Sequence, residues 1–170
     1  MLDEFVDELT ESIKEVATGR SYATVISPAS VDDLTAAATV WRFDWNREIL
    51  TAEVYKLTVP KLGRLIHGLI SIRADEGFVW INMVESHPEN VGRRKKYEGI
   101  APNLIAYACQ QAFELGFNGY VSFEAKSELI EHYKQTLGAV QIGRTQRMQL
   151  QPAASLKLVN QYFGDQHGIH

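Results

Sequence analysis

The chain of 170 residues is 45% hydrophobic and 22% charged, ordinary usage for a globular protein that folds as one domain around a single core. Seventeen Lys and Arg against twenty-one Asp and Glu give a net charge of -4, so no global basic field gathers nucleic acid or an anionic membrane, and any anion site has to be local. One cysteine, Cys109, no zinc-ligand spacing, no run of eighteen apolar residues and an acidic start without a leader pattern predict a metal-free cytoplasmic protein.

Leu2, Phe5, Val6, Leu9, Ile13 and Val16 recur at helical spacing before Gly19, which predicts an added amphipathic helix over about 3–17. Tyr22 to Ile26 is rich in β-formers, and Ser30 is placed to cap a helix running to about Val40. Next comes the aromatic stretch Trp41-Arg42-Phe43-Asp44-Trp45. Strand patterns cover Ala52 to Val59, Leu65 to Arg73 and Phe78 to Glu85, separated by turns short enough for hairpins. A polar loop from Ser86 to Glu98 leads into a helix with apolar Ala101, Leu104, Ile105, Ala108, Ala112 and Leu115, stopped by Gly116. Cys109 lies inside that helix, where a buried, inert thiol is expected. A strand over Gly119 to Phe123, a helix over Ser127 to Leu137, strands over Ala139 to Gly143 and Thr145 to Leu150, and a last helix over about 153–163 complete the order. The strand-helix-strand step from Phe78 to Phe123 sets two strands parallel. The expected fold is therefore a mixed, mostly antiparallel α/β sheet with helices on both faces and extra N- and C-terminal helices. Those added helices are apolar on one face, which can cover the core or form a homodimer interface.

Lys96-Tyr97-Glu98-Gly99-Ile100-Ala101-Pro102 sits where a strand gives way to the strongest helix. N–H groups at a helix start carry the positive end of the helix dipole, so a glycine turn there can cradle a phosphate. Gly99 lets the backbone approach the phosphate, Pro102 suits the first helical turn, and Arg93-Arg94-Lys95-Lys96 supplies local cations.

With Lys96, Gly99 and Ala101 in the frame of its pyrophosphate loop, the sequence resembles the GCN5-related N-acetyltransferases, which transfer acetyl from acetyl-coenzyme A to amines. A second signature agrees: Tyr120-Val121-Ser122-Phe123, then Leu129-Ile130-Glu131-His132-Tyr133, then Leu137-Gly138-Ala139-Val140. The resemblance covers a core of about 22–150. Three departures stand out: a longer chain between Pro88 and the phosphate loop, Tyr133 five residues before Gly138 where four is usual, and Lys126 where an Asn is common.

The resemblance implies acetyl-coenzyme A as cosubstrate, with no metal, and an acceptor amine on a small molecule or a protein. Coenzyme contacts would come from Val84, Ser86, Arg94, Lys95, Lys96, Tyr97, Glu98, Gly99, Ile100 and Ala101. A backbone N–H in Val84-Glu85-Ser86 would face the oxyanion, and Tyr133, a phenol that keeps its proton at neutral pH, would protonate the leaving thiolate. Glu85 closes an apolar strand at the cleft edge and is the first candidate base, with His87, Glu124 and His132 as alternatives. Trp41, Phe43, Asp44 and Trp45 fall where the family borders its acceptor. A catalytically silent acyl-coenzyme A sensor or interaction module uses the same fold and stays open as the other reading.

Overall fold

The computed structural model describes residues 1–6, 9–10 and 12–167, the side chains of 165–167 excepted. Along the chain come β1 (Ile13–Glu15), β2 (Ser21–Tyr22), β3 (Val25–Pro28), α1 (Val31–Ala36), α2 (Trp45–Glu48), β4 (Glu53–Thr58), β5 (Ile66–Ala74) and β6 (Val79–Ser86). Then follow β7 (Tyr97–Glu98), α3 (Ile100–Glu114), β8 (Val121–Glu124), α4 (Ile130–Leu137), β9 (Val140–Gln141), β10 (Arg147–Leu150) and α5 (Pro152–His167).

Seven strands form one sheet in the order β3-β4-β5-β6-β8-β10-β9, and β6–β8 is its parallel pair. Neighbouring strand residues point to opposite faces. Leu69 accordingly joins Leu34, Trp41, Trp45 and Val54 under α1 and α2, whereas Ile70 joins the larger cluster with Leu104, Cys109, Tyr133 and Val159. Gly68 of β5 lets α3 come close, since a Cβ there would lie 2.6 Å from Ile100 Cγ2 and 2.9 Å from Leu104 Cδ1.

The feature that positions the site is the end of the parallel pairing. β6 and β8 pair from Val79 with Val121 to Ile81 with Phe123, and there the ladder stops. From Asn82 and Glu124 onward the two strands form a fork.

The expected helix over 3–17 is absent from the described residues of that span. Leu2 instead bridges Ala125 in parallel, and β1 pairs antiparallel with β2 on one side and β7 on the other. The N–H groups of Leu2, Val6 and Val16 find Glu124 O, His132 Nε2 and Lys96 O, and a helix this short has little stability of its own to set against such partners. Phe5 is 73% exposed, so the apolar spacing does not describe one buried helical face. Two smaller differences follow. The helix expected to reach Val40 is short, with a Ser30–Asp33 capping box, and Asp44 starts α2 as a separate cap. The loop over Ser86 to Glu98 contains β7, recruited by β1. The C-terminal helix is present as α5.

Candidate active site

A fork in a sheet leaves backbone donors and acceptors without ladder partners, and these must be met by something else. Here the N-terminal segment meets them. Leu2 N donates to Glu124 O at 2.7 Å and Lys126 N donates to Leu2 O at 2.9 Å. The Glu4 carboxylate accepts from Ser86 N at 2.5 Å and from Ser86 Oγ at 2.8 Å. The Tyr133 hydroxyl donates to the Glu4 carbonyl at 2.6 Å, and Val6 N donates to His132 Nε2 at 2.8 Å. Arg42 adds a clamp from outside, its Nη2 lying 2.9 and 3.0 Å from the two Asp3 oxygens. Burial pushes the Glu4 carboxyl up to about 7, against the pull of the two Ser86 donors. Burial also raises the Tyr133 phenol, with Glu4 and Asp3 adding to the effect, so its proton is retained well past neutrality.

The glycine turn lies at the other end of the same segment. Gly99 is the N-cap of α3 with φ +91°, a left-handed conformation that favours glycine. A Cβ on Gly99 would lie 2.5 Å from Thr10 Oγ1 and 2.8 Å from Ser12 O. Tyr97 and Glu98 pair with β1, and Ile100 and Ala101 are buried in the core beside Val84. Of the four cations, Lys95 lies 3.8 Å from Glu98, Lys96 lies 3.5 Å from Glu89, and Arg93 and Arg94 are exposed. Beside the fork is a cleft of about 720 Å³ whose lining includes Asp3, Glu4, Arg42, Glu85, Asn90 and Lys95.

Neither a protein-family model nor a curated protein matches the chain. Solved structures do. A mutant of the toxin AtaT bound to the C-terminus of the antitoxin AtaR and acetyl-CoA superposes with a TM-score of 0.52 at 14% identity, over 79% of this chain and 97% of that one. A mutant of KacT gives 0.56 at 12%, over 80% and 99%. The ribosomal-protein-S18-alanine N-acetyltransferase from Escherichia coli gives 0.54 at 14%, over 75% and 92%. The chain has the GCN5-related N-acetyltransferase fold.

Within this acetyltransferase fold, the residues expected from sequence separate into two places. Ser86 and Tyr133 at the fork and Gly99 at the turn all meet the N-terminal segment, and Val84 of β6 is buried in the main core cluster. The aromatic stretch lies elsewhere. Trp41 and Trp45 are buried in the second core cluster, Trp41 against the His87 ring, and Asp44 accepts from Arg47 N as the cap of α2. Phe43 packs on that cluster beneath Arg42. These four residues line a separate pocket of about 250 Å³ together with Arg42, and of the stretch only Arg42 is among the lining residues of the larger cleft.

Glu85 lies at the cleft edge as expected, with its carboxylate turned to the Arg42–Trp45 loop. It is 2% exposed, and its carboxylate accepts from Arg42 N at 2.6 Å, Phe43 N at 3.1 Å and Trp45 Nε1 at 2.8 Å. Three donors from one loop occupy a side chain that offers about four acceptor sites. His87 Nδ1 accepts from Glu89 N at 3.1 Å, and Glu124 is exposed beyond the fork. His132 Nε2 likewise accepts from a backbone N–H, that of Val6 in the N-terminal segment, and its ring lies 5.6 Å from that of Tyr133. Glu4 carried no sequence signal, because its partners lie 82 and 129 residues away. Among the described residues no group of three or more His, Cys, Asp or Glu side chains is set to hold a metal, and no helix is long and apolar enough to cross a membrane.

Proposed function

We propose that the protein is a single-domain cytoplasmic N-acyltransferase that moves acetyl from acetyl-coenzyme A to a primary amine. The observation that carries this reading is the convergence of the Ser86 N–H and the Tyr133 hydroxyl on one residue, Glu4, at the fork between β6 and β8. An outward-facing N–H on a rigid strand is suited to an oxygen that gains negative charge. A buried phenol that holds its proton is suited to a departing thiolate. The Gly99 turn at the start of α3, with Lys95 and Lys96 near it, supplies backbone donors and cations for a pyrophosphate. Acetyl-coenzyme A fits these groups once Leu2, Glu4, Val6, Thr10 and Ser12 are displaced from them.

The reaction needs an amine that has lost its proton. His132 is the base this geometry favours, because its ring lies beside Tyr133 and its Nε2 lone pair is released once Val6 leaves with the N-terminal segment. Glu85 acts through the Arg42–Trp45 loop and is a positioning residue. The amine nitrogen then forms a bond to the acetyl carbon as the carbon–sulfur bond breaks, with the Ser86 N–H on the oxygen. The phenolic proton of Tyr133 goes to sulfur. The acceptor enters through the cleft beside Arg42, which Glu85 and Asn90 also line.

The filled fork favours a second reading, a catalytically silent acyl-coenzyme A sensor. Thiol release from acetyl-coenzyme A, measured across a panel of small amines and peptide N-termini, separates the two. Turnover with any acceptor establishes the enzyme, and binding without turnover across the panel favours the sensor.

A further inference from the structure

The groups that acyl transfer would use are occupied by the chain itself. Leu2 and Val6 are 2% and 3% exposed and belong to the main core cluster. Between them Glu4 takes the Ser86 N–H with its carboxylate and the Tyr133 hydroxyl with its carbonyl. Leu2 extends the edge of β8 like an added strand, accepting from Lys126 N and donating to Glu124 O. Thr10 and Ser12 then close over Gly99 at the start of α3, leaving no room beside its Cα for a phosphate oxygen. One segment covers both the fork and the glycine turn.

We propose that the N-terminal segment is an autoinhibitory strap, seated in the acyl-coenzyme A site and released when the coenzyme binds. The proposal rests on the acyl-coenzyme A reading above. A ligand and a strap that claim the same N–H, hydroxyl and turn exclude one another, so the apparent affinity for acetyl-coenzyme A equals the intrinsic affinity reduced by the fraction of molecules with the strap open. The strap is held by one parallel bridge at Leu2, the two apolar anchors and polar clamps from Arg42, Ser86, Tyr133 and His132. It can therefore leave without dismantling the seven-stranded sheet, whose ladders do not include it.

Hydrogen exchange on the intact protein tests this directly. Without ligand the amides of Val6 and Lys126 are protected by strap hydrogen bonds. Saturating acetyl-coenzyme A should lower their protection at least about tenfold while β5 and β6 keep theirs. The double variant Leu2→Asp/Val6→Asp, which places two carboxylates in the apolar seat, should bind acetyl-coenzyme A at least about tenfold more tightly than the parent. Equal affinity in parent and variant, with unchanged exchange at Val6 and Lys126 on binding, overturns the strap and leaves the acyl-coenzyme A reading standing. A folded parent and a folded variant that both fail to bind overturn that reading and the strap with it. If the double variant does not fold, exchange on the intact protein decides alone, and unchanged protection in the presence of acetyl-coenzyme A overturns the strap.

Discussion

Replacing Glu85 by Gln probes whether the buried carboxylate is a structural anchor. The side chain keeps its shape but exchanges one acceptor oxygen for an NH2 that now faces an N–H. With the amide nitrogen in place of Oε2, the 2.6 Å bond from Arg42 N is lost and that donor is left against another donor. The bonds from Phe43 N and Trp45 Nε1 persist without charge. A lost charge-assisted bond and an orphaned buried donor together cost about 3 kcal/mol. With a urea m-value of about 2 kcal/mol/M, the midpoint should fall by about 1.5 M. Equilibrium unfolding followed by tryptophan fluorescence suits the test, since Trp45 sits on the carboxylate. Glu131→Gln is the control: its partner is Lys134 one helical turn away, its side chain is 75% exposed, and its shift should stay within about 0.5 kcal/mol. A Glu85→Gln midpoint as close to the parent as that control would refute the anchoring role and return Glu85 to the list of bases.

Tyr133→Phe keeps the edge-on packing against Phe123 and removes the donor to Glu4; turnover should fall about 10²-fold in a thiol-release assay without loss of acetyl-coenzyme A affinity. Gly99→Glu forces a side chain into Thr10 and Ser12 at φ +91°, so its melting temperature should drop and acetyl-coenzyme A should no longer raise it, whereas the parent gains about 2.7 kcal/mol at a hundred times Kd. Glu4, raised from 4.5 to about 7 by burial and by the charges of Glu85 and Asp3, stabilises the seated strap fully below its ordinary value and loses that contribution as pH rises through about 7. Opening at Val6, read by exchange corrected for intrinsic rate, should therefore increase over that window by at most about 3 kcal/mol, and Glu4→Gln should flatten it. His67, lowered to about 4 by burial and by His87, acts on global stability with the opposite sign, losing its contribution as pH falls from about 6.5 toward 4. Urea midpoints of Glu4→Gln should accordingly drop between pH 6.5 and 4.5 more steeply than those of the parent.

The elements that sequence reading placed well are those whose signal is local and dense. The apolar face of α3, the hairpins of β4 to β6 and the Ser30 cap each follow from neighbours within a few residues. Gly99 was readable for the same reason, as a glycine where a helix must begin. The N-terminal segment is ambiguous in sequence because Leu2 and Val6, four residues apart, fit a helical stripe and equally fit one face of extended chain, about 13 Å apart. What decides between them lies at Glu124, Lys126 and His132, far along the chain. Asp44 and Trp45 show the same limit: a capping carboxylate and a core indole look like a recognition pair until Arg47 N and Glu85 are seen as their partners.

The wide sequence gap bridged by the strap also orders events in the life of each molecule. Leu2 has no seat until Glu124 to Lys126 have been synthesised and paired, and Glu4 has none until Tyr133 is in place on α4. Contacts of such separation close late, after the local hairpins and helices have formed. The fork therefore stands open during the last stage of folding, and closing it is the step that marks a finished chain.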